Sequence, residues 1–130
     1  MSKQKVFLSG GFKSNWQQKV FESLGEKFIF FNPREHMLAD PNEYTFWDVH
    51  FIKQADIVFA YLEKDNPSGL GLIFEIGVAY GMNKTIILID EKSSTDDTFK
   101  KYFKIVQHAS SSVFSSFDEG LRYLDSFSKY

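Results

Sequence analysis

The chain has 130 residues, 43% of them hydrophobic, enough for one domain with one core and too few for two ordinary ones. A net charge of −2 without a strong basic run argues against duplex nucleic acid or an anionic membrane as a partner. The absence of cysteine excludes disulfides, a thiol nucleophile and Cys-based zinc, and no apolar run approaches the roughly 20 residues of a membrane span.

Val6-Phe7-Leu8 reads as a first strand running into the tight loop Ser9-Gly10-Gly11. Ser14 is placed to cap a helix with Trp16, Val20 and Leu24 at helical spacing, ended by Gly25. Phe28–Phe31 is a second strand, stopped by Asn32-Pro33, and Arg34 to Glu43 is a polar loop long enough to be a flap. A second helix runs from about Tyr44 to Gln54, with Trp47, Phe51 and Ala55 on one stripe, and Ile57–Tyr61 is the third strand. After Lys84, Thr85–Ile89 is a fourth strand and Glu91–Asp97 a polar surface loop. A helix from Thr98 to about Ala109 turns Phe99, Phe103 and Val106 inward, and Ser112–Phe114 is a short fifth strand. Ser116 and Glu119 have capping-box spacing at the start of a last helix that buries Leu121, Leu124 and Phe127.

The stretch from Asn66 to Lys84 carries the most information. Pro67, Ser68, Gly69 and Gly71 break regular structure, and Leu72 to Tyr80 is then apolar on nearly every side, which predicts a buried helix stopped by Gly81 and Asn83. Glu75 is the one carboxylate inside it, expected in the first turn, where the helix dipole favours an anion. Such a carboxylate either holds a buried partner or cap, or is used in chemistry.

Alternating strands and helices predict an α/β fold: a flavodoxin-like, doubly wound sheet of five parallel strands in the order 2-1-3-4-5, three layers deep, in a single domain spanning 1–130. In that order ligands bind at the carboxyl ends of strands 1 and 3, where the glycine-bearing loops Ser9–Gly11 and Asn66–Gly71 lie. Gly69-Leu70-Gly71 fails the dinucleotide fingerprint, because Phe74 takes its last position and the loop follows strand 3; neither loop is a P-loop. Glycines that only make turns are the simpler account of each loop alone, with phosphate or sugar contact through N–H groups as the other. An exposed helical residue is the commoner case for Asp48, and a helix-end or turn residue for Asp56. His36, His50 and His108 lack metal-ligand spacing and read as surface histidines, so no metal is expected, and no other cofactor. Fifteen Phe predict an aromatic interior or an aromatic surface for self-association. The N-terminus reads directly into a strand, and a soluble cytoplasmic protein is the expectation.

Three segments together resemble the nucleoside 2-deoxyribosyltransferase family, including relatives that hydrolyse nucleoside 5′-monophosphates at the N-glycosidic bond. They are Val6–Gly11, Trp47–Asp56 with its two aspartates, and Ser68–Gly81 with the pattern G-x(3)-E-x-G-x-A. The resemblance implies a nucleoside or nucleotide substrate, Glu75 as the nucleophile that forms a covalent sugar ester, and Asp48 as the acid on the base side. It implies contacts to sugar or 5′-phosphate from the first loop, Ser9, Gly10 and Gly11, and from Gly71, with Gly69, Ser68 and Lys13 as further candidates. The transferases carry an acid where Gly69 stands here. It also implies a homodimer or larger even assembly, with a C-terminal polar residue reaching the neighbouring site: Ser112 is the candidate, in an alignment that slides across Ser110, Ser111 and Ser112. The alternatives are a glycosidase acting on a nicotinamide dinucleotide or other nucleotide, and a non-catalytic nucleotide-binding module.

Overall fold

The computed structural model describes residues 2–129. Five parallel strands, β1 (Lys5–Gly10), β2 (Ile29–Phe31), β3 (Ile57–Leu62), β4 (Thr85–Asp90) and β5 (Ser112–Phe114), form one sheet in the order β2-β1-β3-β4-β5. This is the doubly wound, flavodoxin-like order expected from the alternation of elements. Helices α1 (Trp16–Leu24) and α5 (Phe117–Ser126) pack on one face of the sheet, and α2 (Pro41–Gln54), α3 (Leu70–Gly81) and α4 (Asp97–Ala109) on the other. The central strand β3 is buried throughout; Val58, Ala60 and Leu62 feed one core, while Ile57, Phe59 and Tyr61 feed the other. Period-2 alternation between two covered faces explains why this strand is apolar at every position.

Asp56 ties the N-terminal ends of β1 and β3 together. Its carboxylate accepts the Lys5 backbone N–H at 2.9 Å, and its own N–H donates to the Lys5 carbonyl at 2.8 Å. The site lies at the opposite end of these strands. Asp56→Asn is therefore expected to lower Tm by ~2–5 °C while leaving kcat within about twofold of the parent, measured by thermal melts and steady-state rates.

Several local expectations need correction. Ser14 does not cap α1: Asn15 occupies that position without a side-chain bond, and the Ser14 hydroxyl donates to Glu63 instead. Helix α2 starts three residues early, at Pro41, because Asp40 accepts the Asn42 N–H and Pro41 supplies a pre-set first turn. Helix α3 starts at Leu70 because Gly69, at φ +69°, turns the chain into it; a side chain on Gly69 would also strike Leu62, at 2.9 Å from the added carbon. Nor is α3 buried all round. Leu72, Glu75, Ile76 and Ala79 face inward, while Leu70, Phe74 and Tyr80 are exposed. Asn83 follows the helix at φ +57°, the left-handed stop expected of it. Half of the α5 capping box is made: Ser116 Oγ accepts the Glu119 N–H.

Candidate active site

The first loop is held from behind by the core. Gly10 has φ +154°, and an added carbon there would lie 2.6 Å from the Tyr61 carbonyl and 2.9 Å from Trp16. No larger residue fits where β1 passes β3. The Gly11 carbonyl accepts both the Trp16 indole N–H at 3.0 Å and the Gln17 amide at 3.1 Å. Beside this loop a cavity of about 280 Å³ opens at the carboxyl end of β1, between α2 and the start of α3, walled by Gly10, Phe12, Pro33, His36, Leu38, Tyr44, Asp48, Gly71, Leu72 and Glu75. The Arg34 guanidinium lies over the Phe12 ring, 5.5 Å from its centroid, and donates to the Ser14 carbonyl.

Glu75 projects from α3 and is only 8% exposed. Because the helix begins at Leu70, Glu75 sits beyond its first turn, where the dipole offers little. Ser9 meets the carboxyl instead: its fully buried hydroxyl donates to Glu75 Oε1 at 2.6 Å. Ser9 thus supports a carboxylate in this structure; it does not line the cavity. Asp48, on the inward side of α2, brings a second carboxyl within hydrogen-bonding reach of Glu75. It is not the exposed helical residue that is the commoner case. Burial pushes the Glu75 carboxyl well above the usual range against the opposing pull of Ser9, and contact with Asp48 pushes it further. Burial likewise raises Asp48, against the pull of its contacts with Glu75 and His36. Two carboxyls in contact in low dielectric hold one proton between them, and they titrate as a pair.

His36 was not expected here. A 3-10 turn, Pro33–Glu35, followed by Met37 at φ +58°, folds the segment inward and presents the imidazole to Asp48, with Nε2 3.6 Å from Oδ1. The available signal was weak: one histidine in a segment read as a flap. Lys13 and Ser68 lie outside the residues lining the cavity. Lys13 is exposed, with its ammonium 3.4 Å from the Asp65 carbonyl, and Ser68 Oγ accepts the Leu70 N–H at the head of α3. Asn66 Oδ1 accepts the Ser68 and Gly69 N–H groups, which closes that loop on itself. Ser112 opens β5, paired with Ile87 and remote from this cavity in sheet order. Its neighbours are committed to the fold: Ser110 Oγ donates to the Val106 carbonyl and Ser111 Oγ accepts the Ile86 N–H. Among the described residues no cluster of three or more His, Cys, Asp or Glu could hold a metal ion, and no helix is long and apolar enough to cross a membrane.

No curated protein matches the sequence. Among solved structures, a conserved protein from Enterococcus faecalis V583 superposes with TM-score 0.73 at 17% identity, over 97% of this chain and 99% of that one. A 2-desoxiribosyltransferase from Leishmania mexicana gives TM-score 0.73 at 17% identity, over 98% of each chain. The CMP N-glycosidase BcmB of Clostridium botulinum gives 0.61 at 23% identity, over 94% of this chain and 98% of that one. At these identities the likeness speaks to the fold. The sequence itself matches the family profile described as nucleoside 2-deoxyribosyltransferase like over residues 3–93, which takes in the Ser9 loop, Asp48 and Glu75. The chain belongs to the nucleoside 2-deoxyribosyltransferase-like family.

Proposed function

We propose that this protein cleaves the N-glycosidic bond of a (deoxy)nucleoside or its 5′-monophosphate, and can pass the sugar to an acceptor, through an ester on Glu75. The observation that carries this reading is a pair of carboxyls in contact at the wall of a cavity in a member of this family, Glu75 buried and Asp48 partly buried. At about 280 Å³ the cavity is at the small end for ligand sites, which favours one nucleoside unit over a dinucleotide.

The steps follow from the pair. Sugar entering between the carboxyls parts them, and the Ser9 hydroxyl favours the anion on Glu75, so the shared proton stays with Asp48. Glu75 attacks the anomeric carbon as the C–N bond breaks; the bonding pair leaves with the base, which takes the proton from Asp48. Asp48, now a carboxylate, removes a proton from water or an acceptor base as that group displaces Glu75. Two displacements retain configuration. Incubation with deoxynucleosides, their monophosphates and a nicotinamide dinucleotide, followed by detection of free base, tests the reading. No release from any of them would leave a binding module.

The assembly belongs to the same proposal. Leu70, Phe74 and Tyr80 on α3 and Tyr102 and Ile105 on α4 are exposed, beside a groove of about 500 Å³ between the two helices. Leu70 and Phe74 flank Gly71 and Glu75 in sequence, so a second copy seated on this face would border the site and exclude water from it. Light scattering at micromolar concentration is expected to give a dimer or larger even assembly. If Ser112 completes the partner's site, mixing Glu75→Ala with a Ser112→Ala chain crippled on its own restores activity in mixed dimers. A monomer with full activity refutes both.

A further inference from the structure

We infer that His36 is a positioning residue for the acid step, holding one oxygen of Asp48 so that the other carries the transferable proton; this rests on the reaction proposed above. The tautomer is set by the backbone. The Leu38 N–H donates to His36 Nδ1 at 2.9 Å, so that nitrogen is the bare acceptor and the single N–H of the neutral ring is on Nε2. The left-handed turn at Met37 brings the Leu38 N–H back to the ring it follows.

Nε2 lies 3.6 Å from Asp48 Oδ1. Among the described residues that oxygen is the one buried side-chain polar atom without a hydrogen-bond partner. A buried acceptor left unmade is costly, and a shift of roughly half an ångström brings the two groups to hydrogen-bonding distance, as site contacts often tighten when substrate binds. The ring is held for this by Trp47, edge-on with centroids 4.8 Å apart. It is itself nine-tenths buried, with 10% side-chain exposure.

Once Oδ1 accepts from Nε2, only Oδ2 is free to bear a proton. When that proton leaves with the base, Asp48 becomes an anion whose Oδ1 is already hydrogen-bonded. His36 gives up no proton. It cannot relay one either, because Nδ1 is occupied by a backbone donor.

Two variants and two substrates separate this role from a structural one. His36→Phe keeps a ring against Trp47 and removes the donor; His36→Gln keeps an N–H donor. One substrate is a natural deoxynucleoside, whose base needs a proton to leave; the other is a nitrophenyl deoxyriboside, whose leaving group departs as a stable anion. His36→Phe is expected to lower kcat/KM by about 10- to 100-fold on the nucleoside. On the nitrophenyl substrate it stays within about threefold, and His36→Gln recovers part of the loss. Equal losses on both substrates, or none on either, would overturn the inference while leaving the reaction standing. A parent protein inactive on both sinks the reaction and this role with it. Nitrogen-15 NMR of the free protein gives a readout without turnover: the proton must be on Nε2, and an Nδ1–H ring refutes the geometry.

Discussion

Glu75→Ala is expected to lower turnover by roughly four to six orders of magnitude, because loss of the nucleophile leaves only positioning and electrostatics. A 2-fluoro sugar substrate, which slows breakdown of the ester, should leave the sugar mass on the peptide containing Glu75, read by mass spectrometry. Near-normal activity in Glu75→Ala would remove the covalent mechanism. The same residue carries a stability signature of the opposite sign. Its carboxyl is held well above the ordinary value near 4.5 by burial and by contact with Asp48. A group raised on folding stabilises fully below its ordinary value, and that contribution is lost as pH rises through the folded value. At pH 7 the buried group is therefore a cost to the fold. Glu75→Gln should melt higher than the parent at neutral pH, with the difference shrinking as pH falls toward 4.5. Thermal melts across that range measure it.

Asp48→Asn is expected to lower kcat on natural substrates by about 10²–10⁴, the usual scale for a proton donor in the reaction. The amide fills the same space against His36 but cannot transfer a proton. A leaving group that departs as an anion should recover most of the rate, while it recovers little in Glu75→Ala, since both substrates need a nucleophile. The fold should survive, because α2 is held to the core by Ile52 with Trp47 and Phe51, none of which depends on the carboxyl. A larger rate loss in Asp56→Asn than in Asp48→Asn would mean that the wrong aspartate has been placed at the site.

The sheet order was legible because each strand carries a buried apolar run and each connection a helical period, signals that depend on local pattern alone. Glycine loops at the ends of β1 and β3 were legible for the same reason. What sequence could not show were contacts made across the chain. Ser9 and Glu75 are 66 residues apart, and nothing local reveals that a buried hydroxyl supports that carboxyl. His36 comes in through a left-handed Met37, a backbone state that residue types do not announce. The error over α3 is of another kind. An apolar pattern predicts a buried helix without saying what covers each face, and in this chain Leu70, Phe74 and Tyr80 stand exposed.

The division of labour within the cavity wall bears on how such an enzyme could change its diet. Glu75 and its support Ser9 sit on elements packed into the sheet, where a shift of one methylene disturbs the core. Phe12, Pro33, Leu38 and Tyr44 enter the same cavity from connecting segments and from the solvent-exposed first turn of α2. On the proposed reaction, reactivity is inherited with the scaffold, while Phe12, Leu38 and Tyr44, which are exposed or half-exposed, can be rewritten at small cost to stability. Laboratory evolution toward a new base would draw its gains from residues 12, 38 and 44, in few steps, with the carboxyl pair and His36 unchanged.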